Sequence, residues 1–146
     1  MKTHIPSPEE LTKSEKWYVI DAKDKTLGRV ATLAAHVLRG KHKAIFVPHI
    51  VTGDQVVIVN AKHLKVSGKK LDQKIYYRHT EYPGGIRTDS LRQLLENKPE
   101  RVLEIAIKGM LPKNSTGHKL MTRLRVYAGE EHPHKAQNPQ QLAVRE

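Results

Sequence analysis

Apolar residues fall into short runs along this chain, and their spacing alternates between the period of a strand and that of a helix. Trp17-Tyr18-Val19-Ile20 is a compact run of strand formers closed by Asp21. Leu27, Val30, Ala31, Ala34, Val37 and Leu38 then recur at helical spacing, with Thr26 placed to cap the helix and Gly40 to stop it. Gly28, near the helix start, either permits close packing on the preceding strand or is an ordinary tolerated glycine. After Gly53-Asp54, the segment Gln55 to Asn60 carries four consecutive aliphatics, Val56-Val57-Ile58-Val59. That run predicts a strand covered on both faces, as in a parallel sheet with helices on either side.

Further on, Lys62 to Leu64 predicts one helical turn, Ser67-Gly68-Lys69-Lys70 a basic turn, Lys74 to His79 a strand and Tyr82-Pro83-Gly84-Gly85 a loop. Ser90 to Asn97 sets Leu91, Leu94 and Leu95 on one helical face, and Pro99 suits the first turn of the next helix, Glu100 to Lys108. Gly109 to Asn114 predicts a second loop, Lys119 to Leu124 a short helix and Arg125 to Ala128 a last strand. This succession predicts a three-layer α/β domain with a mostly parallel sheet. Residues 1–16 read as a loosely ordered lead-in, 17–128 as a single domain and 129–146 as a tail crossing the surface in extended form. No internal repeat is visible, and 146 residues suit one domain with a real core.

Charge adds to this picture. There are 26 Lys and Arg against 15 Asp and Glu, a formal net charge of +11, with 28% of residues charged and 38% hydrophobic. The cations gather in compact loops at element boundaries rather than in a tail. Arg39, Lys41, His42 and Lys43 follow the first helix. Lys69, Lys70, Lys74 and Arg78 flank a strand that also holds Tyr76, Tyr77 and His79, and Arg87 follows the glycine loop. Lys108, Lys113, Asn114, His118, Lys119 and Arg123 span the last loop and helix. Lysine and arginine neutralise phosphates, and the planes of tyrosine, histidine and arginine stack on unpaired bases, so these loops predict grip on a polyanion at several fixed points. The bland reading is a solvated, solubilising face.

Other chemistries find little in the sequence. Without cysteine there is neither a disulfide nor a thiolate metal site, which is compatible with a reducing compartment. No stretch approaches the roughly 20 apolar residues that span a bilayer, and the polar start, with Pro6, Pro8, Glu9 and Glu10, has no apolar core of a secretory signal. The chain therefore reads as soluble, unexported and without a membrane partner. Ser67-Gly68-Lys69-Lys70 fails as a phosphate loop, because His63 stands where its first glycine belongs and Lys70 where Ser or Thr is needed. His132-Pro133-His134 with Glu130 and Glu131 lacks the helical ligand pair of a metal site, so no metal or cofactor is expected. Asp21, Asp24 and Asp54 lie at strand ends but read as turn and cap residues rather than catalytic acids. Neither a G-x-S-x-G elbow nor a cysteine nucleophile is present, and catalysis finds no support.

Read together, these segments resemble one family. Trp17-Tyr18-Val19-Ile20-Asp21-Ala22, Thr26-Leu27-Gly28-Arg29, Leu38-Arg39-Gly40-Lys41-His42-Lys43, Thr52-Gly53-Asp54, Asn60-Ala61, His79-Thr80, Pro83-Gly84-Gly85, Pro99-Glu100-Arg101-Val102, Lys108-Gly109-Met110-Leu111-Pro112-Lys113, Val126-Tyr127-Ala128-Gly129 and Glu131-His132-Pro133-His134 occur in that order. In this the chain resembles the bacterial large-subunit ribosomal protein L-thirteen family, over nearly everything from Trp17 to Pro139. The resemblance implies a three-layer α/β/α fold with a four-stranded parallel sheet. It also implies a non-enzymatic constituent of the large subunit, in the cytoplasm, that contacts large-subunit rRNA and neighbouring ribosomal proteins and acts early in subunit assembly. An obligate homo-oligomer is not expected. The competing classes are a free-standing α/β enzyme and a general nucleic-acid-binding protein. Two positions depart from the family pattern. Glu81 stands where glycine usually follows His-Thr, and Thr116-Gly117-His118 replaces a Leu-Gly-Arg run, exchanging a permanent cation for a histidine that is mostly neutral at pH 7 when free.

Overall fold

The computed structural model describes residues 5–144. Its centre is a four-stranded, wholly parallel sheet built from β1 (Trp17–Asp21), β2 (Gln55–Val59), β5 (Leu124–Val126) and β6 (Gln140–Leu142), in the spatial order β5-β2-β1-β6. Helices α2 (Leu27–Arg39), α5 (Pro99–Met110) and α6 (Ser115–Met121) pack on it, giving the α/β/α architecture that the pattern predicts. One face of the sheet gives Ile20, Val56 and Ile58 to a core shared with Val30, Ala34 and Leu38 of α2 and Leu103 and Ile107 of α5. The opposite face carries Val57 and Val59, also buried, so all four aliphatics of β2 are covered.

Most predicted elements stand, with shifts that have local causes. Helix α2 ends where expected, because Gly40 adopts a left-handed conformation (φ 79°) and its N–H closes onto the carbonyls of His36 and Val37. At the other end Thr26 occupies the N-cap position without a side-chain cap bond. Its backbone instead bridges to Lys65, with the Leu27 N–H donating to the Lys65 carbonyl at 3.1 Å. Helix α5 runs through Gly109 and Met110, which shortens the predicted second loop to 111–114. The Asn114 side chain accepts from the Gly117 N–H at 3.0 Å and starts α6 four residues before the expected position, leaving Leu124 to β5. Gly53 is held by close approach, since a Cβ there would overlap the Leu38 carbonyl.

Three features differ from the sequence reading. Within the stretch read as a loose lead-in, Pro8–Ser14 forms a helix (α1) closed by a reciprocal capping box between Ser7 and Glu10; residues 1–4 lie outside the described residues. The strand read at Lys74 to His79 is present as β3 (Ile75–His79) but does not join the sheet. It pairs antiparallel with β4 (Ile86–Ser90) as a separate two-stranded ribbon. The fourth strand of the sheet comes from the tail, where Gln140–Leu142 aligns along β1 from Tyr18 to Ile20. Rings position that tail: His134 lies 5.1 Å from Trp17 between centroids, and its Nε2 is 2.9 Å from the Tyr127 hydroxyl. Burial, together with Arg125 and His132 nearby, lowers the His134 imidazole from its ordinary value and favours its neutral form.

Candidate nucleic-acid interface

The end of α5 organises the basic surface. Arg101, Ile105 and Lys108 recur at i, i+4 and i+7, so the two cations share one exposed face of the helix. Around that end lie several concavities. One of about 500 Å³ runs along the exposed face of α5, from Lys98 and Arg101 at its start to Lys108 near its end, with Arg78 of β3 on its wall and one carboxylate, Asp89. A second, about 120 Å³, lies between Lys108, Lys113 and His118. A third, about 370 Å³, sets Arg39 and Lys41 beside His36 and Met110. A fourth, about 450 Å³, brings Lys70 and Lys74 to Gly109 and Met110. The three basic segments that the sequence separates thus meet along α5, most of them at Lys108 to Met110, where the helix dipole also favours cations.

Helices α3 (Lys70–Gln73) and α4 (Leu91–Asn97) and the β3–β4 ribbon hold the rest. Arg78 and Arg87 stand directly opposite each other in the ribbon register, both exposed. Like charges in that position disfavour the free ribbon. The ribbon also leaves Tyr77 72% and Ile86 66% exposed. His79 accepts at Nδ1 from the Glu81 N–H at 2.9 Å, which fixes its ring beside the turn. Lys69 and Lys119 are exposed, and the Lys74 ammonium sits 5.4 Å from the Tyr76 ring centroid.

His42, Lys43, Asn114 and Arg123 are instead committed to hydrogen bonds within the chain. Asp54 is fully buried, and its carboxylate accepts from Lys43 Nζ at 2.6 Å and from the Lys16 N–H at 2.8 Å, with His42 Nε2 at 2.7 Å. Lys43 is only 10% exposed and also donates to the Ser14 carbonyl at 2.7 Å. The reading of Asp54 as a turn or cap residue is therefore corrected: it is the buried counter-ion that ties the loop after α2 to the N-terminal segment. Arg123 donates to the Gly53 carbonyl at 2.5 Å and lies 3.7 Å from Glu15, and Asn114 caps α6. Arg39 is half-buried with its guanidinium 5.9 Å from the Phe46 ring centroid. Sequence reasoning missed His36, Lys98 and Arg101 as members of this surface; the helical spacing of Arg101 to Lys108 was the available signal.

Glu81, one of the two departures, adopts φ 67°, a left-handed conformation that costs an L residue about 1 kcal/mol. Glu81→Gly is expected to raise the unfolding free energy by several tenths of a kcal/mol, net of the extra freedom glycine gains when unfolded. Urea unfolding of the two proteins checks this, and a loss of stability would contradict it.

A family profile described as Ribosomal protein L13 matches residues 15–133. The chain belongs to the ribosomal protein L13 family. Among its relatives, the large ribosomal subunit protein uL13 of Agathobacter rectalis is 56% identical over 142 residues, covering 97% of this chain and 99% of the relative. The protein of the same name from Maridesulfovibrio salexigens is 53% identical over 142 residues, with the same coverage. That of Heliobacterium modesticaldum is 53% identical over 146 residues, the full length of both. Membership makes the chain a ribosomal protein of the cytoplasm and not an enzyme, which removes the free-standing-enzyme alternative. No helix among the described residues is long and apolar enough to cross a membrane.

Proposed function

We propose that this large-subunit ribosomal protein binds large-subunit rRNA through the surface centred on the end of α5, and that it supports early subunit assembly by clamping separate rRNA segments. The observation that carries this reading is the convergence there of Arg39, Lys41, Lys70, Lys74, Arg78, Lys108, Lys113 and His118, from loops far apart in sequence. Lys69, His79, Arg87 and Lys119 extend it outward. His42, Lys43, Asn114 and Arg123 act on RNA through the loops they hold in place. Phosphate contacts then fix register, and the shape of the rigid α/β body supplies most of the specificity. The residues from Trp17 to Ala128 form the RNA-binding body, with the tail after Gly129 strapped to it. Neighbouring ribosomal proteins complete the contacts, and the chain needs no obligate homo-oligomer to act.

Sedimentation tests the reading. The chain, expressed in cells, is expected to migrate with large subunits, to carry large-subunit rRNA through purification and to leave only at high salt. A stable pool free of rRNA, or equal retention on duplex DNA, would overturn it.

A further inference from the structure

We infer that the concavity of about 450 Å³ between the start of α2, the loop at 65–67 and the end of α5 is a site for one unpaired nucleotide, with the base on its apolar floor and the phosphate on its lysine rim. The inference rests on the rRNA reading above and names a site within it.

Leu27, Val66, Ile105 and Met110 make the floor, and Ile105 and Met110 remain 37% and 45% exposed, so apolar surface is left uncovered there. Tyr76 adds an aromatic wall. Lys70 and Lys74 stand on the rim with Lys65, whose ammonium shares an exposed pair with Asp24 at 3.2 Å. Among the described residues no carboxylate lines the concavity. A cation beside an aromatic face, as at Lys74 and Tyr76, is the pairing that a nucleotide's phosphate and base call for. The volume falls in the range of pockets that enclose small ligands, roughly 300–1,000 Å³.

Two glycines point the same way. Gly28 and Gly109 both lie within helices and line this concavity. Neither adopts positive φ, and a Cβ added to either would meet nothing within 4 Å. Glycine weakens a helix relative to alanine, so neither position has a conformational or packing reason inside the chain. Both are exposed, and the space over them is open to a base or ribose that approaches the helix backbone closely.

The full-length Gly109→Leu variant tests this, since the side chain enters open space; its melting temperature is expected to equal or exceed that of the parent. Ribose 2′-hydroxyl acylation of large-subunit rRNA then reads the site. The parent is expected to protect one or a few unpaired nucleotides that Gly109→Leu leaves reactive, with affinity lowered roughly tenfold. Lys70→Gln with Lys74→Gln, both at exposed positions, should expose the same nucleotides and carries the test if the leucine variant does not fold. An unchanged footprint and affinity within twofold for a folded variant would overturn the site. If the parent does not bind rRNA at all, the functional reading fails first, and titration with AMP followed by amide NMR decides the rest. Shifts at Gly28 and Gly109 would then assign the site to a free nucleotide, and no shifts would overturn it as well.

Discussion

Asp54→Ala is expected to lower the unfolding free energy by about 3–5 kcal/mol, because it leaves the Lys43 ammonium buried without a counter-ion. The loss is more than that of one ion pair. The same carboxylate holds the Lys16 N–H and the His42 imidazole, so α1, the loop after α2 and the start of β2 loosen together. Lys43→Ala should cost nearly as much, since it strands the carboxylate instead. Lys41→Ala, two residues away and exposed, should change stability by less than about 0.5 kcal/mol. Urea unfolding with an unchanged slope measures all three. Near-equal small effects at Lys41 and Lys43 would show that the Asp54 pairing does not hold the loop. The same contrast bears on incorporation into subunits: Lys41→Ala reports a surface contact, whereas Lys43→Ala reports the integrity of the loop that presents it.

The second large effect runs in opposite directions for stability and binding. Arg78→Gln with Arg87→Gln removes two like charges that face each other across the ribbon, so the free protein should become more stable by a few tenths of a kcal/mol. Binding to an rRNA fragment should weaken by about ten- to a hundredfold, the loss expected for two charge-assisted phosphate contacts. The slope of log affinity against log salt should flatten by about one to two. A double variant that is less stable and binds RNA as before would show that the arginines serve the ribbon rather than a polyanion.

The parts of the fold that sequence reveals are those with one strong period. The run Val56 to Val59 and the stripe from Leu27 to Leu38 announce β2 and α2, because burial on both faces or on one stripe leaves few alternatives. β3 is visible as a strand but not as part of a ribbon, for two reasons. Its pairing partner, Ile86–Ser90, has a single large apolar residue, and neither strand has a face buried in the core. β6 is illegible for a related reason: Gln140-Gln141-Leu142 is a three-residue edge strand with almost no apolar content, and only the docking of the tail makes it one. By contrast, α1 had a readable signature in Ser7 and Glu10, spaced as a capping box. At the surface, positive charge was legible but its orientation was not. Lys41 and Lys43 look alike in sequence, and only Asp54, eleven residues on from Lys43, separates the outward cation from the inward one.

The central claim is that separate basic loops act as one phosphate-binding surface, and its most direct test is the salt dependence of binding to a large-subunit rRNA fragment. If about six phosphates are neutralised, affinity should fall roughly a thousandfold between 50 and 200 mM monovalent salt. Affinity that stays flat across that range would contradict the claim.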